Sequence, residues 1–171
     1  MTEENVVLHR GLREVYIDRT TSSFIDGKVG KLYYRGYNID DLATNCSFEE
    51  VIYLVMLGEL PTETQLKNFT SELRSNMVLP DPIQDIIRAT KDAHPMDVLR
   101  TAISALATFD PEVDDNSTEA TLRKGTRLTA QAPTIVASHS RIREGKDPIK
   151  PDPDLSIAAN FLYMIFGEVP D

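Results

Sequence analysis

Cysteine and histidine are scarce in this chain: one and three in 171 residues. The lone thiol, Cys46, makes no internal disulfide, and so few soft ligands exclude a zinc module along with a disulfide scaffold. Positive charge is also short, with 18 Lys and Arg against 27 Asp and Glu for a formal charge of −9. A polyanion would be repelled, so no nucleic acid is expected as a general partner. No apolar run approaches the ~20 residues that span a bilayer, and the acidic start from Met1 to Asn5 has no apolar targeting core. No membrane contact is expected, and a cytoplasmic location is. Nucleophile elbow, P-loop, Gly-rich dinucleotide fingerprint and HExxH are all absent.

What is present is a globular composition. Hydrophobic residues make up 41% and charged residues 26% of the chain, enough for one domain with a real core. Prolines and glycines are spread along it without pooling into a linker, and no solenoid period occurs. Val6 to Leu8, Glu14 to Asp18 and Lys31 to Tyr34 are β-branched or aromatic stretches, with turn chemistry at Asp26-Gly27 and Gly30. Residues 1–38 therefore read as a short β-rich segment.

Helical punctuation takes over across residues 39–171. Ser47 with Glu50, and Thr62 with Gln65, have capping-box spacing, and Gly58 ends the first of these two helices. Asp81 as cap with Pro82 behind it opens a helix to about Lys91, and His94-Pro95 opens another to about Phe109. Asn116 with Glu119 starts a long helix to about Arg143, in which Pro133 costs roughly 3 kcal/mol or forces a kink. Asp154 to Phe166 is the last. Six helices behind a small β segment make a mainly α fold. Ala120, Gly125, Ala130, Ala132, Ala137 and Ser138 give the long helix small side chains, which suit a helix packed on several sides.

Few residues suggest chemistry. His9, His94 and His139 stand in unrelated contexts; His94 reads as a cap or packing residue beside Pro95, His139 as a partly buried structural residue, and His9 as solvated. Glu49-Glu50 and Asp114-Asp115 sit at helix starts and read as dipole and capping residues. Cys46 reads as a small hydrophobe; a lowered pKa before the capped helix is the alternative. From Arg123 to Lys150, seven basic residues face only Glu144 and Asp147. This local reversal suits a solvated face or subunit contact, with a phosphorylated ligand as the alternative.

Four longer strings are more specific. Ile25-Asp26-Gly27-Lys28-Val29-Gly30-Lys31-Leu32-Tyr33-Tyr34-Arg35-Gly36-Tyr37 resembles the N-terminal "IDG..G.L.YRGY" signature of the citrate synthase family. Ser47 to Val51 with Leu57 to Pro61 is similar to its "SFEEV.YLL..GELP", and His94 to Ala102 to its "HPMDVLRTA". Ala159 to Met164 with Phe166-Gly167 matches a further segment. The style is that of the shorter bacterial and archaeal members, 2-methylcitrate synthases included.

The resemblance implies the N-terminal part of the family's large helical domain, with the remaining part of that domain, the small domain and the active site expected beyond Asp171. Family members condense acetyl-CoA with oxaloacetate to citrate and CoA in the tricarboxylic acid cycle, or use propionyl-CoA. One histidine polarises the thioester carbonyl, an aspartate removes a methyl proton, and a second histidine polarises the ketone. Those residues belong to motifs after the position of Asp171, so no catalytic, cofactor-binding or metal-binding residue is assigned here, no permanently bound cofactor is expected, and the chain alone is expected to be inactive. A non-catalytic helical dimerisation module is the rival from another class. The resemblance further implies a homodimer in which the helices at Pro95 to Thr108 and Asn116 to Arg143 meet their two-fold copies. Met96, Leu99, Ala102, Ile103, Leu106, Leu128, Ala132, Ile135 and Val136 are the residues expected at that contact.

Overall fold

The computed structural model describes Gly11, Val15, Tyr16 and residues 18–170. Strands β1 (Ser23–Asp26), β2 (Lys31–Tyr34) and β3 (Tyr37–Asn38) form one antiparallel sheet in sequence order. Ser23 faces Tyr34 and Asp26 faces Lys31, while Tyr34 faces Tyr37 across the second turn. That turn holds Arg35 at φ 48° and Gly36 at φ 91°, the left-handed pair that a two-residue hairpin requires. Arg35 keeps this unusual backbone because its side chain is tied down: Nε and Nη2 donate to the Val55 carbonyl at 3.2 and 2.9 Å, and Nη1 donates to Thr21 at 2.8 Å. The expected strand at Val6 to Leu8 lies outside the described residues, and Val15, Tyr16 and Asp18 have no regular structure.

Seven α-helices follow: α1 (Ile39–Asn45), α2 (Phe48–Leu57), α3 (Glu63–Ser75), α4 (Asp81–Ala89), α5 (Pro95–Leu106), α6 (Thr118–Arg143) and α7 (Ile157–Phe166). Both capping boxes are made, Ser47 with Glu50 and Thr62 with Gln65. Gly58 closes α2 at φ 100°, a conformation in which any Cβ is strained. The expectation of six helices missed α1, whose cap is Asn38: its side chain accepts from the Asp40 N–H at 3.0 Å. Several boundaries also move; the helix expected to reach about Phe109 ends as α-helix at Leu106, with a single 3₁₀ turn over Ala107–Phe109. The cap of α4 is Pro80 with no side-chain bond, Asp81 being already helical, and the helix ends at Ala89 rather than Lys91. Ser117, not Asn116, caps α6, because the Asp115 carboxylate takes the Ser117 N–H and sets the turn one residue later. Asp154 does not open α7; Ser156 does, since the Asp152 carboxylate is used within the loop by the Asp154 N–H.

Helix α6 is the spine. Ala130 and Ala137 lie in one apolar cluster with Ile52, Tyr53, Phe69, Leu73, Met77, Ile157 and Met164, drawn from α2, α3, α7 and the α3–α4 loop. Ile135 and Ile142 lie in a second cluster with Leu79, Ile83, Ile87, Val98, Ala102 and Leu106, drawn mainly from α4 and α5. A helix with apolar layers on two sides needs small residues where backbones approach, which is the physical reason for its composition. The helix runs through Pro133, whose missing N–H leaves the Thr129 carbonyl without its usual donor four residues on.

Candidate functional site

The outer faces of α5 and α6 carry the expected contact residues, and the fold divides them. Ala102, Leu106 and Ile135 are buried inside the chain's own core, so they are not on its surface. The small residues Ala120, Ala130, Ala137 and Ser138 likewise point inward. What remains outside is Met96 (62% exposed), Leu128 (38%) and Val136 (40%), with Leu99, Ile103 and Ala132 half-buried. Phe109 and Val113, in the connection from α5 to α6, extend this apolar surface and were not singled out from the sequence. With Ile103, Leu106 and Leu128 they line a hollow of about 150 Å³.

An ion network pins that connection down. Arg127 donates through Nη2 to both Asp110 oxygens at 2.9 Å and through Nη1 to Glu112 at 3.0 Å. Arg123 holds Glu112 as well, and Lys124 donates to the carbonyls of Glu112 and Asp115 at 3.2 and 2.5 Å. The basic run from Arg123 is therefore largely engaged: its first three members bind the preceding acidic loop, and Arg141 binds the Asp147 and Ile165 carbonyls. A phosphorylated ligand is not what this geometry prepares.

Partial burial pushes the Asp110 carboxyl up, but the Glu112 amide and the Arg127 guanidinium outweigh it and hold the pKa below the usual range. Glu112 is lowered chiefly by Arg123, and also by Arg127. A carboxylate lowered in the fold stabilises it fully above its ordinary pKa, and that contribution fades as pH falls through the folded value. NMR titration should place both midpoints below the ordinary values of about 3.9 and about 4.3. Arg127→Ala should return Asp110 toward its ordinary value; an unchanged midpoint would refute the network.

The two described histidines make structural contacts. His94 caps α5, its Nδ1 accepting from the Met96 N–H at 3.2 Å. His139 is buried with Nε2 3.0 Å from the Lys91 carbonyl, and His9 lies outside the described residues. Burial, then the nearby Glu50 charge, pushes the Cys46 thiol up, opposite to the activated alternative. Among the described residues no group of three or more metal-ligating side chains occurs. No described helix is long and apolar enough to cross a membrane. Glu49 is more than a dipole residue: it is buried, and its Oε1 accepts the Ile157 N–H at 2.8 Å, joining the starts of α2 and α7.

The model of the family described as "Citrate synthase, C-terminal domain" matches residues 11–171. A citrate synthase of Mycolicibacterium smegmatis is 45% identical over 96% of this chain and 44% of its own length. A 2-methylcitrate synthase of Mycobacterium tuberculosis is 42% identical over 99% of this chain and 43% of its own. The crystal structure of citrate synthase from Pyrobaculum aerophilum superposes with a TM-score of 0.90 at 38% identity, over 94% of this chain and 42% of that one. The chain thus spans less than half the length of these relatives, and with that share of their sequence and fold it belongs to the citrate synthase family.

Proposed function

We propose that the chain is the N-terminal, large-domain portion of a cytoplasmic enzyme that condenses an acyl-CoA with oxaloacetate and releases CoA. Its own part in that reaction is structural: it forms one wall of the substrate cleft and pairs with a second copy through the α5 and α6 faces. The observation that carries this reading is the use of the polar groups. His94 and His139 are spent on a helix cap and a buried backbone contact, and Arg123 and Arg127 on the Asp110 to Asp115 loop. None is left to polarise a thioester or to remove a proton next to it. The acyl group stays open between acetyl and propionyl, because identity to a citrate synthase and to a 2-methylcitrate synthase is nearly equal. The pairing surface is supported by its composition: Met96, Leu99, Ile103, Leu128, Ala132 and Val136 make an apolar patch larger than two solvated helices need.

A thiol-release assay with both acyl-CoA substrates tests the reading, together with light scattering at tens of micromolar protein. The chain alone should release no CoA in response to oxaloacetate and should scatter as a dimer that Val136→Asp splits. Oxaloacetate-dependent turnover free of contaminating enzyme, or a monomer for the unmodified chain, would overturn it.

A further inference from the structure

Helix α4 sorts its side chains by face. Ile83 and Ile87 are fully buried in the core, while Asp81, Gln84, Asp85 and Arg88, at spacings of three and four along the helix, share the opposite side. Such a side ordinarily meets open water. Here the segment from Asp147 to Pro151, ahead of α7, runs beside it, and the two enclose a cleft of about 410 Å³.

The cleft is preformed, because that segment is fixed at both ends. The Asp147 carbonyl accepts from Arg141 Nε at 2.6 Å, and Asn160 accepts the Asp152 N–H at 2.8 Å while donating to the Asp152 carbonyl at 2.6 Å. Between these anchors Pro148 and Pro151 lock the backbone on either side of Ile149 and Lys150. Thr134, which also lines the cleft, is buried and donates to the Met77 carbonyl at 2.9 Å.

One lining group lacks a partner. Gln84 donates through Nε2 to the buried Ser138 hydroxyl at 3.2 Å, which holds the amide in place, and its Oε1 is left buried with no donor. A buried acceptor without a donor is costly, so the fold prepares this oxygen for a donor from outside the chain. The space beside it far exceeds the ~10–15 Å³ that a single water needs. The surrounding charges are of both signs. Asp81 and Asp85 flank Gln84 on α4, Lys150 lies on the facing segment, and none of the three makes an ion pair among the described residues. Arg88 and Asp147 approach only to 3.6 Å, longer than a hydrogen bond, so the Arg88 guanidinium keeps donors to offer.

We propose that this cleft binds a small zwitterionic amino acid, with its ammonium group donating to Gln84 Oε1 beside the Asp81 and Asp85 carboxylates and its carboxylate accepting from Lys150 and Arg88. The unpaired oxygen and the two carboxylates call for the ammonium, and the two cations call for the carboxylate. A lining of both signs suits a ligand that carries one charge of each, and the apolar remainder, Val78, Leu79 and Ile149, suits a short aliphatic side chain. The inference does not depend on the acyl-transfer reading.

Titration of the isotope-labelled chain with L-alanine, followed by NMR, tests it. The side-chain amide of Gln84 and the backbone amides of Ile149 and Lys150 should shift saturably with one midpoint, while those of Glu63 and Lys67 on α3 stay still. Ethylamine, which lacks the carboxylate, and propionate, which lacks the ammonium, should each bind about tenfold more weakly. Asp85→Asn and Lys150→Gln, both at exposed positions that folding tolerates, should each weaken L-alanine by about two- to fivefold, the worth of one exposed ion pair. Gln84→Leu, checked for helicity by circular dichroism, should abolish the saturable shift. A cleft that holds only water gives no saturable shift with L-alanine at tens of millimolar, and that result would overturn the proposal. Propionate or ethylamine binding as tightly as L-alanine would overturn it too, by assigning a site for one charge alone. So would L-alanine binding that is indifferent to Asp85→Asn and Lys150→Gln, which decide the matter even if Gln84→Leu does not fold.

Discussion

Ile135→Ala should destabilise the chain by about 2–5 kcal/mol, whereas Val136→Ala, one position along α6, should change folding by no more than about 0.5 kcal/mol. The two differ by a rotation of about 100° on the helix. That rotation takes Ile135 into the cluster of Ile83, Ile87 and Val98, at 1% exposure, and leaves Val136 at the surface. Deleting three carbons from a close-packed site loses both transfer energy and the contacts of the cavity wall. Urea unfolding followed by circular dichroism at two protein concentrations separates folding from association. The Ile135→Ala difference should be the same at both, because its cost lies within one chain. If Val136→Ala proves the costlier change, the assignment of inner and outer faces of α6 is reversed.

That pair shows where sequence reasoning stopped. Small and aliphatic residues on α6 implied several packed sides, and α6 does separate two apolar clusters. Which residue serves the chain's own core and which is left outside depends on the rotation of α6 against α4 and α5. Nothing local fixes that angle, so Ala102, Leu106 and Ile135 were grouped with residues that lie outside. Local chemistry was far more readable. The boxes at Ser47 and Thr62 close within three residues, and both form. Asn38 carried an equally local signal for α1, missed because helical punctuation was counted from Ser47. At Asp152 the opposite error arose: an Asp-Pro-Asp run resembles a helix start, but Asn160 draws it into the loop, accepting from the Asp152 N–H at 2.8 Å and donating to the Asp152 carbonyl at 2.6 Å. The basic run from Arg123 looked unopposed because its partners, Asp110 and Glu112, lie 11 to 17 residues earlier in the chain. The cleft beside α4 left no signal in any short window, since it is built from one face of α4, the middle of α6 and the segment ahead of α7.

Glu49→Ala is expected to cost about 1.5–3 kcal/mol, the range for a hydrogen bond to a charged group, although a glutamate in a first helical turn would ordinarily be worth a few tenths to ~1 kcal/mol. The excess comes from its position. Glu49 is buried, and its Oε1 accepts the N–H of Ile157, a residue 108 positions away at the start of α7. Its charge thus faces the positive ends of two helices, and its loss leaves a buried N–H with no acceptor. Glu49→Gln keeps an oxygen of the same reach and should cost less, under about 1 kcal/mol, which separates the bond from the charge. Glu72→Ala, at an exposed site on α3, is the comparison and should stay within about 0.5 kcal/mol. Hydrogen exchange adds a local readout, because protection at Ile157 and along the first turn of α7 should fall in Glu49→Ala by more than at Leu54 or Ile83. Protection lost equally at all of these amides would mean a general loosening, and a cost no larger than that of Glu72→Ala would show that Glu49 does not hold α2 and α7 together.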